Sequence, residues 1–373
     1  MTLDEFFFLG QIVLQPTTAC NLNCTYCYLP SRKENLRMEL AVTEHLAESL
    51  ASMNLDYSIP LIWHGGEPLM LGRGRFLKLI EPLEKLRRAC KVTHCLQTNA
   101  TLIDSNWCAF FKEYGFELGV SVDGPRSING SRHDWHENES FEKIMKGLNL
   151  LKDSKIAFTC IAVVTYPSLT KAVEIYRFFQ GLGCTSVGIN IEERLGTNTG
   201  GVEDGKLVKQ FWQELFIEWN QNPQVQVREF TNVLQWMGSL TGELESIPNK
   251  TDIFPTIGWN GDVVLLSPEL LGAKYDTDRD FVVGNITRES LADILGHGQS
   301  SNYAQEYRAG VRQCELECKF FPYCRGGQAS NKFFELGNIA GTETQHCRNS
   351  QQKPLETILA FMQSPSQIQM EGG

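Results

Sequence analysis

No stretch of this chain is apolar for long enough to cross a bilayer, which takes about 20 residues. The strongest apolar opening, Phe6-Phe7-Phe8-Leu9 ahead of Ile12-Val13-Leu14, falls far short of that. It also lacks the basic start and small-residue cleavage site of a secretory signal, so a cytoplasmic location is expected and a membrane partner is not. Positive charge is scarce too: 34 Lys and Arg against 44 Asp and Glu leave a net charge of -10. Phosphate binding needs a clustered basic face, and the basic residues here are scattered, so nucleic acid is not an expected partner. An acidic surface of this kind confers solubility and would also suit a basic peptide or protein. Internal repeats are absent.

What the chain does have is cysteine, twelve in 373 residues. A reducing compartment disfavours disulfides, which makes metal or redox use the better account. Three of the twelve, Cys20, Cys24 and Cys27, form a C-x3-C-x2-C triad in Thr18-Ala19-Cys20-Asn21-Leu22-Asn23-Cys24-Thr25-Tyr26-Cys27-Tyr28. A cubane iron-sulfur cluster has four irons, so three thiolates leave one iron open for chemistry. A zinc site is the alternative, with His45 or His64 as fourth ligand. A second set, Cys314-x3-Cys318-x5-Cys324 and the distant Cys347, lies near the carboxyl end. The remaining Cys90, Cys95, Cys108, Cys160 and Cys184 have no ligand spacing and are expected as small buried hydrophobes on strands or helices. His94, His133, His136, His297 and His346 show no metal pairing and are expected in core or surface roles.

Apolar runs at Ile12 to Gln15, Pro60 to Trp63, Val92 to Thr98, Phe116 to Val122, Ala157 to Val164 and Ser186 to Ile191 read as strands. Between them, Val42 to Met53, Arg75 to Arg88, Asp104 to Tyr114, Phe141 to Leu151 and Leu169 to Leu182 carry apolar residues at helical spacing. Six strands and five helices in alternation predict an α/β fold with a parallel sheet curved into a partial barrel, its function at the carboxyl ends of the strands. The cysteine triad falls in the loop after the first strand. The turn-rich Leu195 to Gly201 marks a boundary, followed by a helix from Gly205 to about Asn220. Beyond about residue 225 periodicity fades, and Trp259 to Arg348 reads as loop-rich with a hairpin turn at Asn260-Gly261. A small loop-rich unit of this kind calls for a metal staple. The expected domains are 1–200 (barrel), 201–255 (helical bridge), 256–363 (C-terminal unit) and 364–373 (disordered tail).

Cys20-x3-Cys24-x2-Cys27, with Tyr26 before the last cysteine, resembles the signature of radical S-adenosylmethionine (SAM) enzymes. Their motif lies after the first strand of a partial (β/α)6 barrel, and SAM chelates the open iron of a 4Fe-4S cluster. His64-Gly65-Gly66-Glu67-Pro68 resembles the family's GGEP motif, in which backbone and glutamate receive the ammonium of SAM. The resemblance extends to strand ends at Gln97-Thr98-Asn99 and Ser121-Val122-Asp123-Gly124-Pro125 with Arg132. It implies SAM contacts from Tyr26, Gly65, Gly66, Glu67, Pro68, Gln97, Asn99, Ser121 and Arg132. Asp123 reads equally as a cofactor contact or a turn residue before Gly-Pro, and Glu192 and Glu193 as pocket acids or boundary residues.

The C-terminal cysteines resemble the SPASM extension of radical SAM peptide maturases. Gly261 occupies the hairpin glycine of that extension, but Leu266 stands where its cysteine belongs, and Gln328 replaces another. The ligands of one auxiliary cluster are therefore missing together. Cys314, Cys318, Cys324 and Cys347 remain as a full set for the other, which implies about eight irons per chain. A four-cysteine zinc site is the alternative. Sulfatase maturases place an acid immediately after the hairpin cysteine; here that position is Ser267, and Glu269 is the nearest substitute base, or else an exposed turn carboxylate.

With no separate leader-binding domain expected ahead of the triad, the pattern looks closest to small maturases of ribosomal peptides of the GRRM and three-residue cyclophane-forming type. That resemblance implies a precursor peptide partner, a flavodoxin- or ferredoxin-type electron donor, and C–C cross-linking of an aromatic side chain to a β-carbon. Thioether formation, epimerisation, sulfatase-maturase-like dehydrogenation and a zinc-stabilised binding protein stay open as alternatives.

Replacing Cys20, Cys24 and Cys27 with alanine is expected to abolish SAM cleavage, measured as 5'-deoxyadenosine release. Replacing the C-terminal four should mainly impair folding and product formation. Unaltered release from the triad variant would overturn the assignment.

Overall fold

Strand propensity at the apolar runs and helical periodicity between them produce a central parallel sheet with helices on its outer face. A computed structural model describes residues 7–53, 55–242, 251–276 and 280–363. The expected disorder of 364–373 lies outside the described residues. The strands are β1 (Phe7–Leu9), β2 (Ile12–Leu14), β3 (Ile59–Trp63), β4 (Val92–Thr98), β5 (Glu117–Ser121), β6 (Phe158–Val164), β7 (Ser186–Ile191), β8 (Gln226–Val227), β9 (Thr251–Ile253), β10 (Thr256–Ile257), β11 (Asp262–Val264) and β12 (Gly284–Asn285). The helices are α1 (Leu40–Ser52), α2 (Arg73–Ile80), α3 (Glu84–Arg88), α4 (Ser105–Glu113), α5 (Phe141–Asp153), α6 (Ala172–Leu182), α7 (Gly205–Gln221), α8 (Arg228–Thr241), α9 (Leu291–Gly298), α10 (Asn302–Glu317), α11 (Phe321–Cys324), α12 (Ala329–Leu336) and α13 (Lys353–Gln363).

Strands β2 to β7 pair in sequence order, all parallel, so their carboxyl ends share one edge. This is the predicted six-strand alternation. On β4 the side chains of Val92, His94, Leu96 and Thr98 are buried, whereas Thr93, Cys95 and Gln97 are only half-buried. The period-2 alternation sends one set under the helices and leaves the other facing a partly open lumen. The packed side is anchored by Phe76 of α2, fully buried, with ring centroids of Trp63, Trp107, Phe110 and Phe116 all within 6.0 Å. His94 sits in this cluster, accepting from the Trp63 indole N–H at 3.2 Å, a core role as expected.

Several elements differ from the sequence reading. The stretch 75–88 is not one helix, because Pro82 has no N–H to continue it and a 3-10 turn at Glu81–Leu83 separates α2 from α3. Helix α8 falls within the expected helical bridge of 201–255, but periodicity does not single it out, because it buries only Glu229, Phe230 and Val233. The loop-rich reading of 259–348 missed α9, α10 and α12. In α10 the buried positions are Tyr303, Ala304, Tyr307, Gly310, Val311 and Cys314, a helical face built largely of tyrosines and small residues rather than aliphatics. Cys90 is not buried but exposed, in the turn before β4 at φ 54°.

The contacts that fasten the C-terminal unit to the barrel include a shared sheet and hydrogen bonds made by two side chains. Strand β10 pairs parallel with β2, and β11 and β12 extend the same sheet antiparallel, with the β10–β11 turn at Gly258 to Gly261 as predicted. At the other end, the Trp212 indole of α7 donates to the Asn349 carbonyl at 2.7 Å, and the Asn349 amide donates to the Val202 carbonyl at 2.7 Å.

A Cβ on Gly310 would lie 2.5 Å from the Ala340 carbonyl oxygen. A Gly→Ala change inside a helix ordinarily stabilises by about 1 kcal/mol. Gly310→Ala is instead expected to destabilise by roughly 1–3 kcal/mol through this overlap, read as a lower Tm in thermal unfolding. A raised Tm would show that α10 does not need the close approach.

Candidate active site

The loop after β2 carries the triad and is pinned to the ends of neighbouring strands. The Glu67 N–H donates to the Ala19 carbonyl at 2.8 Å, and Gly66 adopts φ 60° directly beneath that loop. A Cβ on Gly66 would meet the carbonyl oxygens of Ala19, Thr17 and Thr18 at 2.3, 2.8 and 2.9 Å, so only glycine fits. The Trp135 indole donates to the Cys20 carbonyl at 2.8 Å. Polar hydrogens approach the sulfurs themselves: the Leu22 N–H to Cys20 Sγ at 3.4 Å, Asn99 Nδ2 to Cys20 Sγ at 4.0 Å, and Arg132 Nη1 to Cys24 Sγ at 3.9 Å.

The three cysteines open into a cleft of about 1170 Å³, counted with its mouth, which is larger than one small ligand needs. Of the sequence-predicted residues, Tyr26, Gly66, Glu67, Gln97, Asn99, Ser121, Arg132, Glu192 and Glu269 line it with the triad. Gly65, Pro68 and Asp123 do not. Gly65 shapes the turn at φ 97°, and Pro68 opens the 3-10 turn that Glu67 caps. Asp123 stands behind the wall, 1% exposed, where Oδ2 accepts from the Tyr26 hydroxyl at 2.5 Å. Its Oδ1 accepts from Arg132 Nε and the Val163 N–H, both at 3.0 Å. Asp123 thus holds two cleft residues in place.

Glu67 is buried and fully engaged, accepting from the Leu69 N–H, the Thr98 hydroxyl and the Asn99 N–H at 3.1, 2.8 and 2.8 Å. Burial nonetheless raises its carboxyl from 4.5 to about 7, outweighing these donors. Burial also pushes the Cys20 thiol up to about 12 and the Cys24 thiol to about 11, so both are protonated thiols in the metal-free chain. On the floor, Gln97 Nε2 donates to Ser121 Oγ at 2.8 Å, over Gly119, whose absent Cβ makes room for the amide.

From the C-terminal unit, Glu269 reaches into the cleft. The Ser267 hydroxyl donates to Glu269 and is also 3.0 Å from the Ser330 hydroxyl, and burial raises the Glu269 carboxyl. Glu269 is therefore not an exposed turn carboxylate. The cleft is also lined by Tyr28, to which no motif assigns a role, and by His64, offered from the sequence as a zinc ligand. Tyr28 Oη meets His64 Nε2 at 2.9 Å, and burial lowers His64 to about 4, leaving it neutral. Glu193, read as either a pocket acid or a boundary residue, lines the cleft, pairs with His346 Nδ1 at 2.7 Å and accepts from the Asn331 amide at 2.5 Å. Tyr28 and His64 were detectable as neighbours of the two motifs; the Glu193–His346 pair, 153 positions apart, left no signal.

Cys314, Cys318, Cys324 and Cys347 line a second cavity of about 830 Å³. They arrive on the last turn and cap of α10, on α11, and at the start of a π-helical turn at Cys347–Gln352. Among the described residues no three His, Cys, Asp or Glu groups close around one metal ion. Thiolates sharing a zinc would stand about 3.8 Å apart, given Zn–S bonds of about 2.3 Å.

A family model, the Radical SAM superfamily, matches residues 14–179, which hold the triad and the glycine-glutamate turn. The uncharacterized protein sll1766 of Synechocystis sp. is 32% identical over 371 residues, spanning 94% of this chain and 92% of its own length. The chain belongs to the radical SAM superfamily. This radical SAM protein is also 27% identical to the serine-type anaerobic sulfatase-maturating enzyme of Bacteroides thetaiotaomicron, over 86% of this chain and 83% of that one. Its fold matches the solved structure of native anSMEcpe with bound AdoMet and Cp18Cys peptide, with a TM-score of 0.75 at 23% identity, over 95% and 98% of the two chains. No described helix is long and apolar enough to cross a membrane.

Membership implies SAM and a 4Fe-4S cluster, and the residues present fit both: three thiols around an open cleft, polar hydrogens aimed at two of the sulfurs, and a buried carboxylate beside them.

A carboxyl raised in the folded state is stabilising below its unfolded value and loses that contribution as pH climbs through the folded one. Glu67→Gln should therefore gain on the order of 3 kcal/mol relative to wild type between pH about 4.5 and about 7 in the cluster-free protein. Urea unfolding of both chains across that window checks it, and a pH-independent difference would contradict it.

Proposed function

We propose that this radical SAM protein modifies a ribosomally made precursor peptide, removing hydrogen from a β-carbon and joining that carbon to an aromatic ring. The observation that carries the reading is Glu269, a half-buried carboxylate that lines the cleft of the cysteine triad. The position of the sulfatase-maturase acid is instead filled by Ser267, which donates to Glu269.

In this reading Cys20, Cys24 and Cys27 hold the cluster, and Gly66 and Glu67 receive the ammonium of SAM. Gln97, Asn99, Ser121, Arg132 and Glu192 border the remainder of SAM, with Tyr26 and Arg132 set by Asp123. The bound pair supplies a carbon radical that takes a hydrogen atom from the peptide. Coupling to a ring leaves one more hydrogen to lose, and Glu269 accepts it as a proton, its raised carboxyl making it a stronger base. The accompanying electron needs a one-electron acceptor. Cys314, Cys318, Cys324 and Cys347 would hold a fully ligated auxiliary cluster, whose chemistry is electron transfer. A flavodoxin- or ferredoxin-type protein in the cytoplasm would supply the starting electron.

Sulfatase maturation is the second reading, favoured by the 27% identity to the Bacteroides enzyme. Oxidising a serine to formylglycine also removes two hydrogens, so mass alone does not separate the two. Co-expression with a short peptide encoded beside the gene should give a product two hydrogens lighter, unreactive to a hydrazide and cross-linked in tandem mass spectra. Glu269→Gln should lower product formation by about 10²–10⁴-fold while 5'-deoxyadenosine release persists. A hydrazide-reactive product would establish formylglycine instead, and an unchanged mass together with a D-residue recovered on hydrolysis would establish epimerisation.

A further inference from the structure

Lys332 on α12 is fully buried, and its Nζ has no hydrogen-bond partner among the described residues. A buried ammonium without a counter-charge is strongly disfavoured, so something must face it. The Tyr307 ring does so in part, with Nζ 5.2 Å from its centroid. The Tyr307 hydroxyl donates to the Gly327 carbonyl at 2.7 Å, and a Cβ on Gly327 would lie 3.3 Å from Cys347 Sγ. Through Tyr307 and Gly327 the lysine is linked to Cys347, behind the residues that line the four-cysteine cavity. Burial lowers its ammonium, and the opposing influences come from the thiolates of Cys314, Cys347 and Cys324, with no carboxylate among them.

We infer that Lys332 is the charge partner of the auxiliary cluster, its ammonium set against the thiolates of Cys314, Cys324 and Cys347 so that it raises the cluster's reduction potential. The inference rests on the reading that these cysteines hold a 4Fe-4S cluster. Such a cluster with four thiolates is anionic, and one-electron reduction adds a further negative charge with no proton taken up. A fixed cation nearby stabilises the reduced state more than the oxidised one. Lys332 acts here as a positioning charge rather than a catalytic residue.

The test uses the full chain carrying Cys20→Ala, Cys24→Ala and Cys27→Ala, so that only auxiliary iron remains, with Lys332→Met, Lys332→Gln and Lys332→Arg added singly. Iron content is measured after anaerobic purification, and the midpoint potential by EPR-monitored titration with a low-potential reductant. The expected result is a more negative midpoint in the Met and Gln variants and one near the parent's in Arg. Loss of the cluster from Met and Gln but not Arg would equally support a charge requirement. Intact clusters with unmoved potentials overturn the inference, as does loss of iron from all three variants, which would mark a packing role. A parent without iron would instead overturn the auxiliary-cluster reading, and this inference with it.

Discussion

The hydrogen bond from the Glu67 N–H to the Ala19 carbonyl joins the loop that carries the cysteines to the loop that carries the acid. The two segments follow adjacent parallel strands, whose pairing puts both loops on one edge of the sheet. Gly66 makes the approach possible because three carbonyl oxygens occupy the space a side chain would need. Once the loops touch, the Glu67 carboxylate reaches Thr98 and Asn99 at the end of β4, so three strand ends lock into one rim. The cleft behind that rim inherits its shape from this contact.

Buried charge is the second organising constraint. Asp123 satisfies Arg132 and the Tyr26 hydroxyl behind the cleft wall, which keeps the guanidinium beside Cys24 without leaving an unpaired cation. Glu193 plays a comparable part between barrel and C-terminal unit. It borders the main cleft and also a neighbouring cavity of about 650 Å³ lined by Glu335, Gln345, His346 and Arg348. Burial acts to raise its carboxyl, yet the charge of His346 and the Asn331 amide hold it below the ordinary value. His346 precedes Cys347, so one ion pair connects the edge of the substrate-sized cleft to the four-cysteine cavity.

Much of the barrel was legible because parallel strands and their covering helices write strong periodicities, and the six strands lie where alternation put them. The C-terminal unit was harder to read. Its helix α10 packs through tyrosines, small residues and a glycine pressed against the Ala340 carbonyl, which gives no aliphatic stripe. Within the site, motif residues such as Glu67, Gln97 and Asn99 were readable through the family resemblance of the short segments that carry them. Tyr28 and His64 lay next to those motifs, yet what they face is set by packing.

By itself the sequence determined the local chemistry: thiols spaced on short loops, glycines where positive φ and close approach demand them, and strand ends that present polar side chains. Those properties follow from residues near each other in the chain. Only the tertiary structure decided which of them share a space. It turned Glu269 inward to the cleft, withdrew Asp123 behind the wall, paired Glu193 with His346 and left Lys332 buried against the Tyr307 ring. Burial and long-range pairing depend on how distant segments pack, and a linear spacing rule carries no record of that.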